Sequence, residues 1–283
     1  MDLSIYGHFN IDILINVEKL PNRPGSIPGK NTRIRPGGTG RNIAKIAGML
    51  GIKNELITFV GKGFPKEFIV DLSNFSNIDK IKVDENFGYS PVCFIISDVN
   101  EQMAIIDQGP MEKPEEILMP DGKFVIFSTG DPEYYIKIKN SIRDKIISFD
   151  PGQEIFYRYD KEKIYSLMNN TEFSFFNENE FKYLLNFYGE KDLLKLSRNI
   201  IVTLGEKGCM LINDKKIRLD AYKTEKKETV GAGDALRAGF LYGILNHYDL
   251  VNSCKIGMKV ASYLIKNGSL DIKIDVKEII ESL

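Results

Sequence analysis

The run FVIF at Phe124–Phe127 begins the stretch of sequence that decides the fold of this chain. Three more short apolar runs follow it: IISF at Ile146–Phe149, FSFF at Phe173–Phe176 and IIVTL at Ile200–Leu204. Charged stretches that we expect to be helical separate these runs. Near-continuous apolar strands that alternate with helices are typical of a parallel sheet covered on both faces. The pattern therefore predicts a doubly wound, mostly parallel α/β fold.

Elements on either side extend this pattern. After a glycine-rich turn at Gly37–Gly40, the apolar residues Ile43, Ala47 and Leu50 recur at helical spacing. The other predicted elements are strands at Leu3–Gly7 and Leu56–Val60, a hairpin at Cys209–Ile212 and Ile217–Leu219, and helices at Ala235–Leu245 and Leu250–Lys266.

Four further predicted strands do not fit the alternation of strand and helix: Ile13–Val17, Asn31–Arg35, and the apolar runs Ser90–Ser97 and Gln102–Asp107. The last two flank a short turn and are typical of a hairpin. We expect these segments, about 13–35 and 88–108, to form a small separate β-sheet that acts as a lid over the open edge of a site. Residues 1–283 would then be a single α/β domain with a lid.

Composition and charge exclude several classes of protein. The chain has 283 residues, of which 43% are hydrophobic and 27% charged, so it is not a disordered, coiled-coil or fibrous protein. Lys and Arg number 38 against 39 Asp and Glu, which gives a net charge of −1. A near-neutral chain has no general electrostatic attraction for nucleic acid or for a membrane surface, so we expect neither as a partner.

The histidines, cysteines and N-terminal residues narrow the setting. Two histidines far apart, His8 and His247, exclude an H-E-x-x-H zinc motif. Cys93, Cys209 and Cys254 form no C-x-x-C pair, and their apolar neighbours predict buried free thiols. The first residues lack the basic start of a signal peptide, and no apolar run is long enough to span a membrane. We therefore expect a cytoplasmic protein.

The segment with the most chemical content is ETVGAGD, Glu228–Asp234, which runs directly into a predicted helix. Its two glycines allow a tight turn whose backbone N–H groups, with the helix dipole, form an anion hole at Gly231, Ala232 and Gly233. A carboxylate beside that hole, Asp234, could accept a proton from a hydroxyl while the hole holds a phosphate. The plainer interpretation is a glycine turn with Asp234 as helix cap.

Two other segments suit a polyhydroxyl ligand. In PGGTGRN, Pro36–Asn42, the glycines would let a ligand approach the backbone, and Asn42 could bond a hydroxyl. In Asn10-Ile11-Asp12, the carboxylate of Asp12 could accept from two adjacent sugar hydroxyls. The plainer alternatives are a turn capped by Thr39 and an Asx-type turn.

Acidic and amide groups also follow two of the later strands. NENE, Asn177–Glu180, suits a hydrated Mg²⁺, although its acidic residues could simply complement a helix dipole. VTLGEKG, Val202–Gly208, is a second strand followed by a glycine-containing turn. No G-x-G-x-x-G fingerprint follows the Gly231 turn, and the sequence contains no P-loop and no G-x-S-x-G elbow. A nicotinamide-dependent dehydrogenase is therefore disfavoured, and phosphoryl chemistry would have to proceed without a P-loop lysine.

Taken in order, these segments resemble the ribokinase (PfkB) family of carbohydrate and nucleoside kinases over nearly the whole chain. The resemblance implies a ribokinase-like fold, ATP as phosphoryl donor, Mg²⁺ as cofactor and, in many members, a homodimer formed through the lid. It also implies roles for individual residues: Asp234 as catalytic base; Gly231, Ala232 and Gly233 as anion hole; Asn10, Asp12, Gly37, Gly38, Arg41 and Asn42 at the acceptor; Asn177, Thr203, Gly205, Gly208 and Asn267 at the nucleotide; and Glu180 at the metal.

The chain departs from the family pattern at three positions. Glu228 stands where many members have Asp beside a monovalent cation, so activation by such an ion is open. Arg41, in Thr39-Gly40-Arg41, replaces a small residue, and Arg237 lies one helical turn beyond Asp234. Either arginine could bind a phosphate.

Three acceptors remain open, a nucleoside, a free sugar such as ribose, or a sugar phosphate. The first is our preferred hypothesis, and the third would need Arg41, Arg35 or Arg237 as a clamp. Gly109-Pro110-Met111 faintly resembles nucleoside-phosphorylating members. A non-catalytic sugar- or nucleotide-binding regulatory protein is the alternative from another class, although such a protein would be expected to lose the residue at Asp234.

Overall fold

The structure is a computed structural model that describes residues 1–21, 25–99, 101–224, 230–268, 270 and 274–281. Its strands, in chain order, are β1 Leu3–Tyr6, β2 Asn10–Asn16, β3 Lys30–Gly37, β4 Asn54–Gly61, β5 Ile81–Asp84, β6 Val92–Ser97, β7 Gln102–Asp107, β8 Phe124–Phe127, β9 Ile146–Phe149, β10 Thr171–Asn177, β11 Ser197–Thr203, β12 Cys209–Ile212 and β13 Lys216–Leu219.

The α-helices are α1 Thr39–Met49, α2 Lys66–Ser73, α3 Pro132–Ser141, α4 Lys161–Met168, α5 Glu178–Leu184, α6 Glu190–Leu196, α7 Ala232–Leu245, α8 Leu250–Asn267 and α9 Val276–Glu281. Short 3-10 helices lie at Gly109–Glu112, Gly152–Phe156 and Gly205–Lys207. No helix in the described part of the chain is both long and apolar enough to cross a membrane.

The main sheet has nine strands in the order β13-β12-β11-β10-β9-β8-β1-β4-β5. All neighbours from β11 to β5 pair in parallel, and only β12 and β13 are antiparallel additions at one edge. The chain moves from β1 to β4 on one side and later returns to β8 on the other side of β1. Such a switch point opens a crevice at the carboxyl ends of the strands, where ligands bind in sheets of this kind.

Helices cover both faces of the main sheet, which confirms the doubly wound fold. Successive residues of β8 belong to different cores: Phe124 and Ile126 pack with helices α1, α7 and α8, and Val125 and Phe127 pack with helices α3 to α6. The alternation is the ordinary consequence of side chains pointing to opposite faces of a strand. All three cysteines are buried and free, as the sequence predicted.

The segments that did not fit the alternation form a separate four-stranded sheet, in the order β3-β2-β6-β7. β2 pairs antiparallel with β3 and parallel with β6, and β7 completes the hairpin with β6. We call this the lid sheet. One of its faces carries Asp12 and Arg35, which are paired across β2 and β3, and the other carries the next residues along each strand, Ile13 and Ile34.

Several boundaries differ from the predicted ones. Asn10 and Asp12 lie inside strand β2 rather than in an Asx-type turn, and Gly37 is the last residue of β3 rather than part of a turn. The turn prediction was wrong because Asn10 pairs with Gly37 of β3, Asp12 finds ladder partners in both β3 and β6, and these partners outweigh local turn preference. Helices α2 and α9 and the half-exposed edge strand β5 were not predicted.

Helix α7, which follows the glycine turn, crosses α8 at very close range. A Cβ at Gly239 would lie 2.8 Å from the Cα of Gly257, and a Cβ at Gly257 would lie 2.5 Å from the carbonyl oxygen of Leu236. Only glycine allows the two helix backbones to approach in this way. The crossing therefore anchors the helix whose first turn carries Asp234.

We expect Gly257→Val to lower the free energy of unfolding by about 2–3 kcal/mol, because its side chain must push α8 away from the α7 backbone. The matched control is Gly88→Val, since no atom lies within 4 Å of a Cβ at Gly88. Urea unfolding followed by circular dichroism measures both variants. Equal midpoints for the two would contradict this account of the crossing.

Candidate active site

The glycine turn before α7 is built as an anion hole requires. Gly231 is the N-cap residue of the helix, its φ of 81° lies in the left-handed region that favours glycine, and no side chain of the described residues caps this end. The first backbone N–H groups of α7 are therefore not taken by a capping side chain. Asp234 does not serve as the cap, which removes the plainer interpretation of this segment.

The carboxylate of Asp234 is instead held by another helix. Its Oδ2 accepts a hydrogen bond of 2.9 Å from Nδ2 of Asn42, in the first turns of α1. Helix α1 begins after Gly38, whose φ is 95° and whose Cβ would lie 2.4 Å from the carbonyl oxygen of His8. Thr39 is the first helical residue and does not cap the helix, so Gly38 is the residue that the turn requires.

Burial raises the pKa of Asp234 to about 7. The guanidinium of Arg237 and the hydrogen bond from Asn42 oppose this rise, and the carboxylates of Asp150 and Asp12 add to it. The Asp234 side chain is 13% exposed, so it is mostly withdrawn from water but still reachable. A carboxylate with a pKa near neutrality is well matched to general-base work at physiological pH.

Two cavities flank the glycine turn. The smaller one, of about 220 Å³, lies between α1 and the lid sheet. Of the residues predicted at the acceptor, four line it, Asp12, Gly37, Arg41 and Asn42. Arg35, which the sequence analysis named as a possible phosphate clamp, also lines this cavity. Six further lining residues were not predicted at the site: Arg33, Pro36, Val230, Leu264, Gly268 and Leu270. Burial raises the pKa of Asp12 to about 6, and the guanidinium groups of Arg35 and Arg41 counteract part of this effect.

Asn10 and Gly38 do not line this cavity, although both lie beside it in the fold. Asn10 is buried, and its Oδ1 has no hydrogen-bond donor among the described residues. Gly38 shapes the backbone at the start of α1.

A larger cavity of about 740 Å³ opens on the other side of the glycine turn. It is lined by Ala232 and Gly233 of the predicted anion hole and by Thr203, Gly205 and Gly208 of the predicted nucleotide site. Tyr222 adds an aromatic wall, and the ammonium group of Lys259 lies 4.7 Å from the centre of its ring. The volume is sufficient for a ligand of nucleotide size, and cavities of this size are typical of cofactor sites.

Asp234 is not among the described residues that line either cavity, but its immediate neighbours border both. Its hydrogen-bond partner Asn42 lines the smaller cavity, and its chain neighbour Gly233 lines the larger one. The carboxylate is therefore one residue away from the lining of each cavity.

Asn177 and Glu180 are joined to each other at the start of α5. They form a capping box in which Glu180 Oε2 accepts from the backbone N–H of Asn177 at 2.8 Å and Oε1 accepts from its Nδ2 at 2.6 Å. This is the helix-start arrangement that the sequence left open. Across the described residues, no three metal-ligating side chains converge.

Arg41 and Arg237 are each bound to a carboxylate. Arg41 Nη2 lies 3.0 Å from Asp71 Oδ2, and Arg41 Nη1 donates to Asn42 Oδ1 at 3.3 Å. Arg237 Nε lies 2.5 Å from Oδ2 of Asp150, which is fully buried. Neither arginine is thus a surface residue, and both have a second interaction close to Asp234.

Asn267 does not reach the larger cavity. Its exposed side chain donates to the carbonyl oxygen of Tyr263 at 2.7 Å, one turn back on its own helix, whereas the neighbouring Gly268 lines the smaller cavity. Glu228, the position tied to a monovalent cation, lies outside the described residues, as does Asn100 of the lid hairpin.

Sequence reasoning missed a buried polar network where β7 returns to the main sheet. Gln108 Nε2 donates to Glu154 Oε1 at 2.9 Å, the backbone N–H of Gly130 donates to Oε2, and His8 Nδ1 lies 3.8 Å from Oε1. Burial raises the pKa of Glu154 to about 7 and lowers that of His8 to about 4. The network connects Gln108, which follows the last strand of the lid sheet, to residues at the carboxyl ends of the main-sheet strands. No sequence motif predicts it.

Comparison with known proteins agrees with this geometry. The family model for pfkB family carbohydrate kinases matches residues 2–276. A nucleoside kinase of Thermoplasma acidophilum is 33% identical over 282 residues, covering 98% of this chain and 94% of the relative. One from Methanocaldococcus jannaschii is 34% identical over 275 residues, covering 93% and 90%.

The fold is likewise that of known members. The crystal structure of the nucleoside kinase of Methanocaldococcus jannaschii, an archaeal member of the ribokinase family, aligns with a TM-score of 0.86 and 30% identity, over 99% of this chain and 97% of that one. The match over nearly the whole length, together with the glycine turn and the carboxylate beside it, gives one conclusion. The chain belongs to the pfkB family of carbohydrate kinases and is a phosphotransferase with an alcohol group as acceptor.

Proposed function

We propose that this protein is an ATP-dependent nucleoside kinase that transfers the γ-phosphoryl group to a hydroxyl of the ribose. The observation that carries the proposal is the buried carboxylate of Asp234, which is held by Asn42, lies one residue away from the lining of each cavity and is preceded by a turn with uncapped N–H groups. The nucleoside kinases that are similar over more than nine-tenths of this chain support the nucleoside as acceptor.

The acceptor would bind in the smaller cavity. The carboxylate of Asp12 offers two acceptor oxygens to vicinal ribose hydroxyls. Asn42 would orient the same sugar while keeping its bond to Asp234. The apolar side chains of Leu264 and Leu270 line this cavity and would pack against the base.

The donor would bind in the larger cavity, with its triphosphate at the N-terminus of α7. Asp234 then accepts the proton of the attacking hydroxyl, and the backbone N–H groups of residues 231–233 stabilise the charge on the phosphoryl oxygens. Closure of the lid sheet would exclude water, which otherwise competes as acceptor.

The residues near the strand ends fit a hydrated Mg²⁺. Oδ1 of Asp150 is buried and has no hydrogen-bond donor among the described residues, and the carboxylate of Glu180 lies at the start of α5, following strand β10. Mg²⁺ keeps several waters and needs few protein ligands, so Asp150 and Glu180 would hold it through water. When bound, the ion would neutralise phosphate charge.

We expect Asp234→Asn to reduce kcat by roughly 100-fold or more, because the general base is lost. The variant should remain folded and unfold at a higher temperature than the native chain at pH 8. Burial raises the pKa of Asp234 to about 7 in the folded chain, so the ionised carboxylate destabilises the fold above that pH and asparagine removes this cost. The gain in unfolding temperature should shrink as the pH falls toward 5.

The measurement is a coupled ADP-release assay over nucleosides, free pentoses and hexoses, and their phosphates, with calorimetry as the control for folding. Preferential turnover of nucleosides supports the proposal. Preference for free ribose or for a sugar phosphate would replace the nucleoside as acceptor, and absence of turnover with every acceptor would favour a non-catalytic binding protein. Native turnover by Asp234→Asn would contradict the assigned base.

We also propose that two copies of the chain associate through the lid sheet. Ile34, Ile13, Phe94 and Ile105 are aligned across its four strands on the face opposite Asp12. Ile34 is 63% exposed, Ile105 55% and Phe94 39%. An apolar row that crosses a whole sheet is unusual on a monomer surface and is typical of an interface.

Light scattering tests this association, since a single chain has a mass of 32.1 kDa. We expect twice that mass for the native chain and the single mass for Ile34→Glu, because a charge would be buried without a partner. Val70→Glu is the matched control, since Val70 is also 63% exposed but lies on α2, and it should remain dimeric. A native chain of single mass would overturn the proposal.

A further inference from the structure

The guanidinium group of Arg237 reaches back to the N-terminus of its own helix. Side chains in a helix lean toward the N-terminus, so residues four apart lie over one another. Arg237 Nη1 lies 2.6 Å from the point where a Cβ of Gly233 would stand and 4.0 Å from Oδ1 of Asp234. One nitrogen of Arg237 is therefore close to both the anion-hole turn and the carboxylate.

This position is fixed from the other side. Arg237 is only 7% exposed, and its Nε lies 2.5 Å from Oδ2 of Asp150. The hydroxyl of Ser128 donates to the same oxygen at 3.3 Å. A buried ion pair of this kind orients the guanidinium before any ligand binds, so Nη1 does not have to be ordered during the reaction.

The carboxylates around Arg237 outnumber its single positive charge. Asp150, Asp234 and Glu180 all act on Arg237 electrostatically, so one guanidinium stands among three carboxylates. A phosphoryl group that approaches Asp234 would meet negative charge from each of them. A cation within 4.0 Å of the Asp234 carboxylate can offset that repulsion at the point of transfer.

Arg237 is placed on the donor side of the site. Gly233, which its Nη1 overlies, lines the larger cavity, although Arg237 itself is not among the described residues that line either cavity. The contact with Gly233 therefore favours a role toward a phosphate bound at the anion-hole turn.

We propose that Arg237 is a further catalytic residue, which donates from Nη1 to an oxygen of the phosphoryl group while that group is transferred. The inference rests on the proposed kinase function. In the step, the acceptor oxygen forms a bond to the γ-phosphorus, and the bond from that phosphorus to the bridging oxygen breaks. The electron pair of the broken bond stays on ADP, and the hydroxyl proton moves to Asp234. Arg237 keeps all its protons and contributes charge and a hydrogen bond.

The test must separate contact with the phosphoryl group from neutralisation of Asp150. We compare the native chain with Arg237→Met, Arg237→Lys, Asp150→Asn and the double variant Asp150→Asn/Arg237→Met. Because Asp150 is also proposed to hold Mg²⁺, the effect of removing Arg237 is measured in the double variant relative to Asp150→Asn. The double variant removes both members of the buried pair, so it leaves no unpaired charge even where Arg237→Met alone folds poorly. Arg198→Met is the control. Arg198 is a surface arginine with its side chain 77% exposed, and it lies at the start of β11, whereas Thr203 at the other end of that strand lines the larger cavity.

We expect Arg237→Met and the double variant to lose on the order of 100-fold or more in kcat, with a much smaller change in the KM for ATP. The double variant should recover the native unfolding temperature without recovering kcat. Arg237→Lys should retain part of the activity, since it keeps the charge without the fork of donors. Arg198→Met should behave as the native chain does.

A second readout needs no acceptor. ADP with aluminium fluoride and magnesium imitates the phosphoryl group in transfer, and its binding can be followed by calorimetry. We expect the double variant to bind ADP alone as the native chain does but to lose the extra affinity for aluminium fluoride that Asp150→Asn retains. A kcat or an aluminium fluoride affinity in the double variant equal to that of Asp150→Asn would overturn the proposal. Failure of the native chain to phosphorylate any nucleoside would instead count against the proposed acceptor, and the fluoride comparison would still decide the role of Arg237.

Discussion

The hydrogen bond from Asn42 to Asp234 is the interaction on which the rest of the site depends. It joins the first turns of α1 and α7, two helices that each begin after a glycine with positive φ. The two turns are 192 residues apart in sequence, and this bond brings their N-termini together. Because one helix borders each cavity, the same bond determines how the two ligands would face each other.

This arrangement has a cost in stability that the fold must carry. Burial raises the pKa of Asp234 and of Asp12, so ionising either carboxyl group costs more free energy in the folded chain than in water. Asn42 and the neighbouring arginines recover part of that cost and fix the geometry. Such partly compensated charges are expected where a site is organised before its ligands arrive.

The sequence was sufficient where function depends on local chemistry. The glycine turn at 231–233, the presence of Asp12 and Asn42 beside one cavity and the separate lid sheet could all be predicted, because glycines, strand ends and apolar periodicity are visible in short windows. What could not be predicted depends on contacts between distant segments. Gln108 and Glu154 are 46 residues apart and show no motif. The ladder that places Asp12 inside a strand needs partners from two other segments, Arg35 of β3 and Cys93 of β6.

Asp150 is an intermediate case. It directly follows strand β9, so the argument that singled out polar residues at other strand ends would also have found it. Its partner Arg237 was noticed from helical spacing alone, but only the structure brings the two side chains together and turns Arg237 toward the glycine turn.

The pH dependence of kcat/KM for the nucleoside tests the central claim most directly, because it reports the ionisation of the base in the free enzyme. With Asp234 buried beside Asn42, its pKa is raised to about 7. The account predicts that kcat/KM falls with decreasing pH below that value, by about tenfold per pH unit once the carboxylate is mostly protonated. A rate that stays constant from roughly pH 8 down to roughly pH 5 would contradict it.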